Sequence, residues 1–409
     1  MRRPQILPAL LTFGFFVLTC AQNQYIAMKK LLLVAAALLP LLVHAQKKVV
    51  LPSTYDVLIG TYTTGTSKGV YVYRLYERNG RLAYLNEFTT VDDADFTNPS
   101  YLTVSDNNRF VYVVNENKVG GVTALSFTPT TGKMKFINSQ PSHGADPCHI
   151  TVDKDQKNIF VANYSSGNLT VYPLGKDGSI GAISQNIQDA GTGVNKDRQA
   201  GPHVHMSILS PNEKYLFYND LGTDKININR YHASKTPPLT PADQPFVSVK
   251  PGNGPRHATF SADGKYLYLL QEMGAAINVY SYDNGKLNQV QTISMLADNF
   301  KGQVGAAAIH LSPNGKYLYA SDRGDDNDIN VFSIDEATGQ LKFVSRHPSL
   351  GKGPRDFMID PQGKYLLVAN QNSDSVVIYR INQETGSLNG VISNIQLGNP
   401  VCIKIVPAE

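Results

Sequence analysis

The chain has 409 residues with 33 Gly, 23 Pro, 22 Tyr, no Trp, 3 Cys and a formal charge of +4, which excludes a disordered, collagen-like or disulfide-stapled polypeptide. Charged residues make up only 17%, while turn formers and tyrosine are plentiful. That balance favours short strands and tight turns over long charged helices, so the expected class is all-β.

Residues 1–45 carry Arg2, Arg3, Lys29 and Lys30 and no acidic residue, around two apolar runs, Ile6 to Thr19 and Leu31 to Val43. Neither run is long enough to cross a bilayer as a helix, which takes about 20 residues. The second has the anatomy of a secretory signal: Met28-Lys29-Lys30, an apolar stretch, then Val43-His44-Ala45 before Gln46. Export with cleavage after Ala45 is expected, to the periplasm or beyond, with Met28 as the start and residues 1–27 as an upstream extension. A lipid-anchored Cys20 fits its context less well and leaves the second apolar run unexplained. Of the remaining cysteines, Cys148 and Cys402 fall on non-neighbouring repeats and are expected to be buried thiols.

Six later segments open on one pattern: Pro99-Ser-Tyr-Leu, Pro147-Cys-His-Ile, Pro202-His-Val-His, Pro255-Arg-His-Ala, Ala306-Ala-Ala-Ile and Pro354-Arg-Asp-Phe, with a seventh start at Pro400-Val-Cys-Ile. Their spacings are 48, 55, 53, 51, 48 and 46 residues. Each start is an alternating strand followed by a tight turn such as Ser261-Ala-Asp-Gly, then an aromatic, β-branched strand such as Tyr266-Leu-Tyr-Leu-Leu. A third strand (Ile277-Asn-Val-Tyr in this repeat) and a Gly-containing turn lead to a fourth. Four antiparallel strands in about 50 residues make a propeller blade.

The final segment supplies a lone first strand, while Tyr55 to Phe88 supplies three strands lacking one. Joined, they make a composite blade that closes a seven-bladed β-propeller and removes its free edges. Residues 46–409 are therefore expected to form a single domain of 52 residues per blade.

In a propeller the loop entering the first strand and the loop leaving the second share one face, around the mouth of the central channel. Reflection about Gly264 sets Arg256 across from Glu272, and likewise Cys148 from Tyr164, His205 from Leu221 and Arg355 from Gln371. The position of Arg256 is filled elsewhere by Ser100, Cys148, His205, Ala307 and Arg355. Packing alone would make these inner positions apolar, and a charge there must be solvated or paired. A structural alternative has Arg256 and Glu272 merely bracing one blade. His149, His203, His205, His257 and His310 each lie in or beside a first strand, where a hydrogen-bonded core histidine is the ordinary role. His205 stands out by occupying the Arg256-equivalent position.

Other motifs carry less. Gly65-Thr-Ser67-Lys-Gly69 fits a nucleophile-elbow string, but a strand follows where that chemistry needs a helix. Gly252-Asn-Gly254-Pro and Gly351-Lys-Gly353-Pro lack the helix that would cradle a pyrophosphate. Asp322 to Asp328 lacks the glycine and terminal glutamate of a calcium loop. A metal held at the mouth by Glu272, Asn163, Asn219 and Asp220 is a minor alternative, and no basic cluster with interleaved aromatics points to nucleic acid.

Taken in order, Ile59-Gly-Thr-Tyr-Thr, Pro147-Cys-His-Ile with Ala162-Asn-Tyr, Gly201-Pro-His-Val-His with Asn219-Asp-Leu-Gly, and Gly254-Pro-Arg-His with Gln271-Glu resemble the seven-bladed β-propeller lactonase family. So do Ile309-His-Leu-Ser with Ser321-Asp-Arg-Gly and Gly353-Pro-Arg-Asp-Phe with Ala369-Asn-Gln; the likeness spans residues 55–406. This family includes propeller-type 6-phosphogluconolactonases and the fungal carboxymuconate lactonising enzyme. The resemblance implies hydrolysis of a sugar-acid lactone at a cofactor-free, metal-independent site. Its arginine and glutamate carry over to Arg256 and Glu272, its histidine to His203 or His205, and its second arginine to Arg323 or Arg355. Gln271 and Ser321 depart from the family's common Asn and leave the charges in place.

The chemistry expected is an activated water, with Glu272 or His205 as base, and arginines that hold the oxyanion and any anionic group of the substrate. His149 and His257 complete the expected substrate-binding set. The partner is a small-molecule lactone, the chain a monomer without stable membrane insertion once the signal is removed. The competing class is an exported propeller that only binds a ligand or protein. Removing residues 1–45 takes four basic and no acidic residues, leaving 33 of each sign, so the domain itself is neutral. Attraction for an anion must then come from arginines at the mouth.

Overall fold

The computed structural model describes residues 51–89 and 96–408; the presequence expected at residues 1–45 lies outside them. The described residues form seven four-stranded antiparallel sheets, with one turn of 3-10 helix at Gln371–Ser373. The expected composite blade is present. Strand Pro400–Pro407 pairs antiparallel with Thr54–Thr61, which continues into Val70–Tyr76 and Arg81–Phe88.

Burial follows the order of strands within a blade. The second strands are buried along nearly their whole length, at every residue in Phe110–Asn115 and Tyr365–Asn370, because neighbouring blades cover both their faces. Outer strands such as Lys133–Pro141 alternate between exposed and covered positions. The core therefore lies between blades. One cluster joins Phe110, Tyr112 and Val114 of one blade to Ile150, Ile159 and Val161 of the next, and the same arrangement recurs around the ring.

The turn after each first strand is built by side chains. In Ser261-Ala-Asp-Gly, Ser261 Oγ donates to Asp263 Oδ1 (2.7 Å) and accepts the Tyr266 N–H (2.9 Å), while Gly264 takes φ +72°. Ser210 and Asn212 repeat the pattern, as do Ser312 and Asn314. The abundant tyrosines fasten blade to blade. Tyr268 donates to the Gly339 carbonyl (3.0 Å) and Tyr319 to that of Gly386 (2.7 Å), each in a turn of the following blade.

Register departs from simple reflection at the channel mouth. Ala258 pairs with Leu269, but Pro255 pairs with Gln271, so Arg256 and His257 lie in a bulge. The same irregularity falls between Pro99 and Tyr101, Pro147 and His149, Val204 and Met206, Ala306 and Ile309, and Pro354 and Asp356, and in the composite blade opposite Val401. A bulge re-aims a side chain that a regular ladder would direct onto a sheet face. Val401, Ser100, Cys148, His205, Arg256, Ala307 and Arg355 hold this position in the seven blades, and all but Ala307 line the mouth cavity or the small space beneath it.

Candidate active site

A second ring completes the mouth. The residue just after each second strand is Tyr62, Glu116, Tyr164, Leu221, Glu272, Arg323 or Gln371, and each follows its blade's bulge residue by sixteen positions except Tyr62, whose blade is composite. All but Leu221 line a cavity of about 510 Å³, together with Cys148, His205, Arg355 and the rim residue Arg198.

Glu272 is its electrostatic centre. One oxygen, Oε2, accepts from Arg256 Nε (3.0 Å) and faces Arg323 Nη2 (3.2 Å); the other, Oε1, accepts from Arg198 Nη2 (2.6 Å). The Glu272 backbone is fixed as well, its N–H donating to the Gly254 carbonyl (2.8 Å). Burial alone would raise this carboxyl, but the Arg323 and Arg256 charges outweigh it and hold the group well below the usual carboxylate range. Arg256 is 2% exposed and also donates through Nη1 to the Ala307 carbonyl. Burial, with Arg323 adding repulsion, brings it down to about 9 despite Glu272.

Across the cavity stands a second carboxylate. Glu116 accepts from Tyr62 Oη (2.7 Å) and from Ser100 Oγ, and lies 3.8 Å from Arg355 Nη2. The Arg355 guanidinium lies over the Tyr62 ring at 5.4 Å. Burial works against its charge, yet Tyr62 and Glu116 keep Arg355 firmly protonated.

His205 is buried beside both systems. Its Nδ1 faces Cys148 Sγ at 3.9 Å, its ring meets Tyr164 edge-on, and Nε2 makes no hydrogen bond among the described residues. Burial, followed by repulsion from Arg256, pushes its pKa well below the ordinary imidazole value, so the ring is neutral at pH 7. Burial likewise pushes the Cys148 thiol far up, leaving no thiolate nucleophile. Cys148 and Cys402 are both free and buried, as expected from the sequence.

The residues picked out from the sequence occupy three depths. Glu272, His205, Arg323 and Arg355 line the mouth cavity; both candidate second arginines are present, one on each carboxylate. Arg256 lies beneath Glu272 and lines a small inner space with His257. His257 and His149 continue down the channel, ring against ring, to Tyr101; burial makes both neutral. His203 lies at the rim, stacked on Tyr164 with ring centroids 4.4 Å apart, outside the cavity wall. His310 is paired with Asp356 (3.1 Å). Of the minor metal alternative, Asn163 and Asn219 donate through Nδ2 to the Ser142 and Arg256 carbonyls, Asp220 accepts the N–H groups of His203 and Gly222, and none of the three lines the mouth cavity with Glu272.

Glu116 and Arg198 escaped the sequence reading. The sixteen-residue spacing from Ser100 would have found Glu116. Arg198 comes from the segment between strands Gln185–Gln188 and Val204–Leu209, inside the longest repeat interval of 55 residues, where the repeat offers no template.

The fold and this mouth define a seven-bladed propeller with a charged, enzyme-like cavity at its channel entrance. A family model described as "Lactonase, 7-bladed beta-propeller" matches residues 56–405, and the chain belongs to that family. It is 35% identical over 347 residues to a 6-phosphogluconolactonase of Formosa agariphila, covering 81% of this chain and 94% of the relative. A 6-phosphogluconolactonase of Bacillus subtilis is 32% identical over 355 residues, covering 86% and 98%. Among solved structures, the periplasmic gluconolactonase of Pseudomonas aeruginosa superposes with a TM-score of 0.82 at 37% identity, covering 87% of this chain and all of that one.

Proposed function

We propose that the chain hydrolyses an aldonic-acid lactone, of the gluconolactone or 6-phosphogluconolactone type, at the mouth of the propeller channel. The observation that carries this reading is one cavity in which a neutral imidazole, a clasped carboxylate and two guanidiniums with unused donors face each other. Ring opening needs a base for water, donors for the oxyanion and a proton for the leaving alkoxide.

His205 suits the base. It is uncharged at neutral pH and its Nε2 has no hydrogen bond among the described residues, whereas both oxygens of Glu272 are taken up by guanidiniums. Water loses a proton to His205 and attacks the lactone carbonyl, and the oxyanion is taken by Arg323 and Arg355. Collapse breaks the ring C–O bond, and the imidazolium returns its proton to the departing oxygen. Glu272 stabilises that transient imidazolium; Arg256 holds Glu272 in place from beneath. Planar guanidinium forks suit both the oxyanion and the carboxylate product.

The signal-like presequence and the periplasmic location of the Pseudomonas relative support action in the periplasm or outside the cell. The test is a panel of glucono-, galactono- and 6-phosphogluconolactone measured against the spontaneous rate, with and without chelator. Acceleration of at least one, undiminished by chelator, is expected. No acceleration on any would favour a binding propeller, and loss with chelator would favour a metal.

A further inference from the structure

The four mouth arginines are not equivalent. Arg256 is pinned from two sides and buried. Arg323 is tied through Nε to the Gly305 carbonyl (3.1 Å) and through Nη2 to Glu272, and Arg355 is set against Glu116 and the Tyr62 ring. Arg198 is the most exposed of the four. Its side chain is 45% exposed, and only its Nη2 has partners among the described residues: Glu272 Oε1 at 2.6 Å and Tyr164 Oη at 3.3 Å.

The backbone beneath it is nevertheless fixed. Asn195 Oδ1 accepts the Asp197 and Arg198 N–H groups (both 3.1 Å), and the fully buried Gln199 donates through Nε2 to the Leu221 carbonyl (2.9 Å). A half-exposed guanidinium on an anchored turn can leave one acceptor for another within its reach without moving the loop. Formal charge supplies a reason to do so. Arg198, Arg256, Arg323 and Arg355 against Glu116 and Glu272 leave a surplus of two positive charges at a site where uncompensated charge is costly.

We infer that Arg198 is a specificity-determining residue that reads an anionic group on the outer end of the substrate, exchanging Glu272 Oε1 for it. This rests on the lactonase reading and adds a direction to it. The scissile carbonyl lies inward at Arg323 and Arg355, and the phosphate or carboxylate lies at the rim. It also couples recognition to chemistry. Once Arg198 turns outward, Glu272 Oε1 is open to the imidazolium forming on His205, while Oε2 stays with Arg256 and Arg323.

The experiment titrates the full chain calorimetrically with 6-phosphogluconate and with gluconate, comparing wild type, Arg198→Gln and Arg198→Lys. A charge-assisted contact of this kind is worth roughly 10- to 100-fold in affinity. Wild type is expected to prefer 6-phosphogluconate by about that factor, Arg198→Gln to lose the preference, and Arg198→Lys, which keeps the charge, to retain most of it. An unchanged preference in Arg198→Gln, or none in wild type, overturns the assignment. Gluconolactone hydrolysis by wild type, followed separately, distinguishes failure of this inference from failure of the lactonase reading. Thermal unfolding of each variant shows that a lost preference is not lost folding.

Discussion

Replacing Glu272 by Gln probes catalysis and bracing together, and a double variant with Arg256 separates them. The amide keeps the shape but removes the counter-charge of three guanidiniums, one of which, Arg256, is 2% exposed. Removing one partner of a buried ion pair costs roughly 3–5 kcal/mol, whereas a pair as exposed as that of Arg198 adds less than about 1 kcal/mol. The variant should therefore melt several degrees lower. The sign of its pH dependence follows from the depressed Glu272 pKa. A carboxylate held down in the folded state contributes stability above its unfolded pKa and loses it as pH falls through the folded one. The gap between variant and wild type should thus be constant from neutral pH to mildly acid and narrow only below the ordinary carboxylate range. Turnover should fall by about 10²- to 10⁴-fold, the span of acid–base contributions. The control is Arg256→Met combined with Glu272→Gln, which removes both buried charges; it should regain stability without activity. A folded Glu272→Gln variant that opens lactone within a factor of two of wild type would refute the role given to this carboxylate.

His205→Ala should lower turnover by a similar order and, in wild type, the base limb of the pH–rate profile should lie below the usual imidazole value, because burial and Arg256 keep His205 neutral. A limb at or above pH 6.5, after subtraction of spontaneous hydrolysis, would contradict that. Asp189 heads the segment that carries Arg198, accepting from Tyr218 Oη (2.8 Å) and Asn227 Nδ2 (2.9 Å). Burial, with Asp220 adding to it and Tyr218 opposing, pushes its carboxyl up to about 7. A group raised in the folded state lowers stability as pH rises between its unfolded and folded values. Asp189→Asn should therefore gain melting temperature relative to wild type at pH 8 and lose that gain at pH 4; an equal shift at both would show that its ionisation is not felt.

The propeller was legible because its signal is repetition. Six starts at near-equal spacing, each followed by a turn that opens on Ser or Asp, identify a blade, and the orphan strand at Pro400 identifies how the ring closes. The inward positions were legible for the same reason: Arg256, His205 and Arg355 break an otherwise apolar or small register. What reflection about a turn cannot reveal is the bulge at those positions, since the extra residue falls at the very start of each first strand, with almost no strand before it to show the change of phase. Arg256 therefore meets Glu272 through its side chain although their backbones are out of step. His257 and His149, one residue further on, face inward but lie deeper in the channel. Arg198 was invisible for a different reason. It belongs to an irregular connection, and only the folded ring shows that this connection reaches Glu272.

The most direct test of the mouth as the reacting site is a crystal structure of the full chain with gluconate, the ring-opened product. The product carboxylate is expected within hydrogen-bond distance of Arg323 and Arg355, with its former ring oxygen towards His205. Gluconate bound elsewhere on the propeller, or turned with its carboxylate away from both arginines, would contradict the account.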